Sequence, residues 1–122
     1  MKTFTSAHLP PRVSDFLATN PVGDVRGSGA QRTALMPFTG EELFSFPTTT
    51  PEDVAAAVTT ARAGVGHGNR GRILLKLHDL IRKHEELILD LIQAENGKSR
   101  SHAYDEVMDL YNCACFYGVN IR

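Results

Sequence analysis

Tryptophan is absent from this chain, and its aromatic side chains are six Phe and three Tyr, so any core must be mostly aliphatic. Long hydrophobic runs are lacking too. No stretch approaches the roughly 20 apolar residues that cross a bilayer, so the chain offers no membrane span. The opening MKTFTSAHLPP carries one charge and no apolar core, which is not the pattern of a secretory signal. Cysteine is scarce. Cys113 and Cys115 are too close for an unstrained disulfide on a helix, and a reducing cytoplasm is the expected compartment. Neither sign of charge dominates: 13 Lys and Arg face 14 Asp and Glu, for a net charge of −1 with the five His neutral. That balance argues against nucleic acid or a membrane surface as a partner. What remains is 42% hydrophobic and 22% charged over 122 residues, the composition of one small globular domain.

Along the chain, residues 1–11 read as a polar, extended lead and 20–31, NPVGDVRGSGAQ, as a linker rich in Gly and turn formers. Together they make 1–31 an expected mobile N-terminal extension, with a short helix over Val13–Thr19 that puts Val13, Phe16 and Leu17 on one side. In RTALMPFTGEELFSFP two apolar runs flank a turn in which Gly40 supplies a positive φ, which predicts a β-hairpin limited by Pro37 and Pro47. A clear helix start follows. Thr50 is the N-cap, Pro51 the first helical residue, and Glu52 and Asp53 place negative charge at the positive end of the dipole. The Ala-rich body runs to Gly64, and GVGHGNRG interrupts it.

From about Arg70 the chain is strongly periodic. Leu77, Leu80, His84, Leu87, Leu91 and Ala94 fall on one seam, widened by Ile73, Ile81, Ile88 and Ile92. The run is long enough for two helices meeting near His84 and Glu85. His84, on that seam, reads as a hydrogen-bonded core residue or the mark of a kink. A last helix over Ser101–Tyr117, capped by Ser99 or Ser101, has Tyr104, Val107, Met108, Tyr111, Ala114 and Cys115 on its apolar side. The fold class is mainly α with one short β-hairpin.

Several short motifs suggest chemistry. ENGKS, residues 95–99, ends like a phosphate-binding loop, but that loop needs a glycine at position 92, where the chain has Ile92. Helical spacing precedes it, so Gly97 reads as a left-handed helix stop with Lys98 at the carbonyl end of the dipole. Gly66-His-Gly-Asn-Arg-Gly is a literal G-x-G-x-x-G. A dinucleotide loop must follow a strand, whereas an Ala-rich helix precedes this one, so it reads as an inter-helix connection. His8, His67, His78, His84 and His102 share no i,i+3 or i,i+4 spacing, so no helical metal pair forms. The sulfurs of Cys113 and Cys115 point about 200° apart on a helix and read as small hydrophobes. Glu85-Glu86 and Asp105-Glu106 diverge by about 100° and read as solvated faces. No nucleophile, base and orienting group come together. The chain therefore yields no catalytic, cofactor-binding or metal-ligating residue.

The order of these phrases resembles the aldehyde dehydrogenases. FTGEELFSFPTTTPEDVAAAVTTARA is similar to the opening of that family, where a short hairpin of the type Asn-Pro-x-Thr-Gly-Glu precedes Pro-x-x-x-x-Glu-Asp-Val and an Ala-rich helix. RGRILLKLHDLIRKHEELILDLIQAENGKSRSHAYDEVMDLYNCACFYG resembles the part that follows, with Glu95-Asn96-Gly97-Lys98 standing where the family has Glu-Thr-Gly-Lys. DLIQAENGK resembles the succinate-semialdehyde dehydrogenase branch. The resemblance covers about residues 33–118. It implies that 32–122 is a partial, incomplete cofactor domain of α/β type, and that the full-length family oxidises an aldehyde to the acid with NAD or NADP. The family's catalytic Cys, base Glu, oxyanion Asn and cofactor-holding residues have no counterpart at positions 1–122. GVGHGN is shorter than the family's connection and lacks its Trp. The expectation is thus an N-terminal fragment or truncated copy. It has no cofactor of its own, is inactive alone, and packs on the remainder of the subunit or on itself through apolar helix faces. The alternative is a stand-alone helical interaction module derived from that segment.

Overall fold

A computed structural model describes residues 9–19, 27–64 and 66–120. The elements run α1 (Pro11–Thr19), β1 (Gln31–Leu35), β2 (Glu42–Pro47), α2 (Pro51–Gly64), α3 (His67–Lys83), α4 (Glu85–Asn96) and α5 (Arg100–Asn120). Among the described residues the architecture is helical with one two-stranded antiparallel hairpin. No helix among the described residues is long and apolar enough to cross a membrane.

Local chemistry explains most boundaries. Gly40 takes φ +71° in the turn joining β1 to β2, where its N–H donates to the Met36 carbonyl at 2.8 Å. Ala34 pairs with Phe44 but Leu35 with Glu42, so Leu43 bulges from the ladder and is fully buried. Residues 27–30 continue beside β2: Gly29 N–H donates to the Thr48 carbonyl at 2.8 Å, and Thr48 N–H returns a bond to Ala30 at 2.9 Å. A Cβ at Gly27 would lie 2.6 Å from the Thr48 carbonyl oxygen, so only glycine allows this approach.

α2 starts with a reciprocal cap. Thr50 Oγ1 accepts from Asp53 N–H at 3.2 Å, and Asp53 Oδ2 accepts from Thr50 N–H at 2.9 Å. α3 begins at His67, earlier than the expected Arg70. Its apolar stripe also differs from the expected seam: Leu77 and Leu80 are 41% and 42% exposed, and His84 is exposed. The inward side is instead Gly71, Leu74, His78 and Ile81, which faces α5 across the largest helix–helix interface. α3 is apolar on two sides, so periodicity alone does not choose between them. His84 marks the kink; it is not a core residue. At φ −111° and ψ 17° it ends α3 and starts α4, so the seam does not continue through it. Beyond the kink, Leu87, Leu91 and Ala94 do pack inward.

α5 is capped by Ser99, whose Oγ accepts from His102 N–H at 3.4 Å. Tyr104, expected on the apolar side, is exposed, and Ala103 is buried in its place.

Two apolar clusters result. The first joins Leu9, Val13 and Leu17 to Met36 and Leu43, with Leu87, Leu91 and Ala94 packed on it. The second joins Ile81, Leu89, Ala103, Val107 and Ala114. Residues 9–19, inside the stretch expected as an extension, are thus docked on the body, while 1–8 and 20–26 lie outside the described residues.

Candidate functional site

The ENGKS stretch is a helix terminus. Gly97 adopts φ +68° and ψ 19° as the C-cap of α4, and its N–H donates to the Gln93 carbonyl at 2.9 Å. Gly66 is the N-cap of α3, and Gly71 is buried within that helix. The G-x-G-x-x-G is therefore mostly helical rather than the open connection expected.

Of the histidines, His8 and the His67 side chain lie outside the described residues. His78 is half-buried with its ring 4.1 Å from that of Tyr111, and its Nδ1 is 3.2 Å from Asp79. His102 is exposed. Among the described residues no three His, Cys, Asp or Glu side chains gather as metal ligands. Cys113 is exposed and Cys115 half-buried, both as free thiols. Glu106 pairs with Lys98 across the α4–α5 turn. Asp53 accepts from the N–H groups of Thr50 and Ser28 and from the Ser28 hydroxyl, in that order of effect, and these bonds pull its carboxyl down to about 2.

The structure assembles a group that sequence reasoning missed. Asp90 on α4 has a side chain only 7% exposed, and each of its oxygens meets a guanidinium. Arg12 Nε, from α1, donates to Oδ2. Arg100 Nη1, from the first turn of α5, donates to Oδ1 at 2.5 Å and to Gln93 Oε1 at 2.9 Å. Glu86, one turn before Asp90, closes the ring: its Oε2 accepts from Arg12 Nη2 at 3.3 Å and from Arg100 Nη2. Burial pushes the Asp90 carboxyl up, but the hydrogen bonds and charges of Arg12 and Arg100 outweigh it and hold it below the ordinary value. The bond to Asp90 raises Arg12 in turn. Glu86 is therefore more than part of a solvated face. The spacing of Glu86 and Asp90 was the available signal for a shared helical face, but nothing local points to Arg12.

Beside the ring, a cavity of about 350 Å³ is lined by Leu9, Pro10, Met36, Phe38, Gln93 and Asp90. Its polar side chains have partners within the chain: Gln93 Nε2 donates to the Lys98 carbonyl, Thr39 Oγ1 accepts from Glu41 N–H, and each Asp90 oxygen accepts from a guanidinium. The arrangement binds one part of the chain to another and offers no reactive group.

Comparison with known proteins supplies the remaining context. A protein of Mycolicibacterium smegmatis, named "Putative succinate-semialdehyde dehydrogenase [NADP(+)]", is 42% identical over 86 residues, which are 66% of this chain and 17% of that protein. The chain thus spans about a sixth of that relative's length. A variant of the aldehyde dehydrogenase from Bacillus cereus superposes with a TM-score of 0.72 at 26% identity, covering 91% of this chain and 26% of that one. The betaine aldehyde dehydrogenase of Staphylococcus aureus, solved in complex with NAD+, shares the fold with a TM-score of 0.65 at 22% identity, covering 78% of this chain and 21% of that one. Residues 25–122 match the aldehyde dehydrogenase family, to which this chain therefore belongs.

Proposed function

We propose that the chain forms the leading part of the cofactor domain of an NAD(P)-dependent aldehyde dehydrogenase whose whole chain oxidises succinate semialdehyde to the acid. The observation that carries this reading is the 42% identity to the M. smegmatis protein, whose name gives both that substrate and NADP(+). The reaction needs a positioned thiolate to attack the carbonyl carbon and a base to activate the water that releases the acid. NAD(P), when bound, accepts the hydride. These residues do not fit that cofactor. Gly97 closes a helix at its carbonyl end, which repels a phosphate, and Gly66 follows a helix rather than a strand. Cys113 and Cys115 lie on opposite sides of α5 and do not converge on one centre.

On this reading the 122 residues alone turn over no aldehyde. The test is formation of NADH or NADPH by the purified chain given succinate semialdehyde and either oxidised cofactor. A flat trace is expected, and sustained turnover would overturn the reading. The partner is the remainder of the subunit, met through apolar side chains that α3 and α5 leave exposed, among them Leu77, Leu80, Phe116, Tyr117 and Val119. Produced alone, the chain self-associates through the same faces.

A further inference from the structure

We propose that α1 is a detachable strap, an amphipathic helix seated in an apolar groove between the hairpin and α4 and clasped there by the arm of the ion ring that Arg12 supplies.

Three observations carry this. First, α1 has little reason to be a helix by itself. It is nine residues long, with no acid in its first turn and no base in its last. Isolated helices of that length are marginal in water, so α1 stands only while docked. Second, its docking face is small and sharply defined. Leu9, Val13 and Leu17 are buried against Met36 and Leu43, with Leu87, Leu91 and Ala94 forming the floor. α4 is the helix it chiefly meets.

Third, the ring has one fixed arm and one removable arm. Arg100 lies ten residues from Asp90, on the helix that follows α4, and it keeps Asp90 Oδ1, Gln93 and Glu86 whether or not α1 is present. Release of Arg12 therefore leaves the buried carboxylate with a charged partner, and no ion is stranded. Arg12 itself is half exposed and rehydrates easily. The second cluster, at α3, α4 and α5, contains no α1 residue, so undocking leaves it intact. The family match starts at residue 25, after α1 ends. Release opens a groove shaped for an amphipathic helix, with Glu86 and Asp90 at its rim ready to receive a cation.

The test is peptide-resolved hydrogen exchange on the full chain, comparing the wild type with Arg12→Gln and Arg12→Lys. Exchange within 11–19 should rise about tenfold in Arg12→Gln, while peptides from 103–118 stay unchanged. Arg12→Lys, which keeps the charge but loses the fork, should fall between. Salt of about 1 M, where screening acts within ~3 Å, should accelerate the same segment alone in the wild type. Unchanged protection of 11–19 in Arg12→Gln would overturn the clasp. An equal rise in 103–118 would show that α1 is integral to the core and not a strap. Full exchange of 11–19 in the wild type would show that it does not dock.

Discussion

Gly118 sets how closely α5 approaches α3, and replacing it separates two opposing effects. It is buried near the end of α5. A Cβ built there lies 3.0 Å from Leu75 Cδ2 and Cγ and 3.2 Å from the Leu75 backbone nitrogen. Carbon atoms prefer about 3.5–4.0 Å, so something must give. Leu75 is 39% exposed and its side chain can swing aside, but its backbone nitrogen cannot. Helix propensity favours Gly118→Ala by about 1 kcal/mol, less so close to a helix end. Overpacking opposes it by about 1–3 kcal/mol. The expected net effect is a loss of about 1 kcal/mol, or roughly 4 °C in Tm for a domain this size. In a Leu75→Ala background the side-chain overlap is gone and only the 3.2 Å backbone approach remains, so the same substitution should be close to neutral. Thermal unfolding of the four proteins, followed by circular dichroism, gives the coupling, which should be about 1 kcal/mol. A higher Tm for Gly118→Ala in the wild-type background, or the same shift in both backgrounds, refutes the reasoning.

Further outcomes concern the α2 cap, Asp90 and Gly97. Thr50→Ala removes the side-chain half of the α2 cap and should cost about 1 kcal/mol of α2 helicity, read as lost ellipticity with α3 to α5 unchanged. The partner half titrates: because Asp53 is lowered to about 2, its support is present above the ordinary carboxylate value of 3.8 and lost as pH falls through about 2. An NMR titration of its carboxyl carbon that centres on the ordinary value would contradict this. Asp90→Asn should cost about 2 kcal/mol in urea unfolding, below the usual penalty for breaking a buried pair because the remaining guanidinium groups are partly exposed. Asp90 is also held down, so its contribution is complete above the ordinary carboxylate range and disappears at lower pH, and the Asn variant should lack that acid-sensitive part. Gly97→Ala forces a side chain into φ +68° with its Cβ 3.2 Å from Pro37 Cβ, and should lose about 1–2 kcal/mol by the same assay.

What could be read without coordinates was whatever depends on neighbours in the chain. Gly40 in the hairpin turn, the Thr50–Asp53 cap and the stop at Gly97 each follow from a residue's own backbone preference or from a partner within four positions, and the break near His84 from the length of the periodic run. The facing of α3 was not legible. Leu74 and Ile81 lie on one side and Ile73, Leu77 and Leu80 on another, and what selects the first is the close approach of α5, which depends on a glycine far along the chain. The ion ring was illegible for a related reason. Arg12 and Asp90 are 78 positions apart, and a charge pair leaves no periodic trace. Pro-Pro and the Gly-rich stretch after α1 also made its surroundings look like a linker, although Val13, Phe16 and Leu17 did mark the helix itself.

α2 has a thermal consequence of its own. None of its fourteen residues is buried. Its helicity rests on a cap and on alanine, not on apolar surface withdrawn from water. Melting it exposes almost nothing new to solvent, so it adds little to the heat-capacity increment of unfolding, which scales with newly hydrated apolar area. It still contributes its full share to the helical signal of the folded chain. Heating should therefore unwind α2 gradually, as a sloping baseline in circular dichroism, well before the packed helices give way together. Calorimetry and spectroscopy on this protein would then report two different transitions from one molecule.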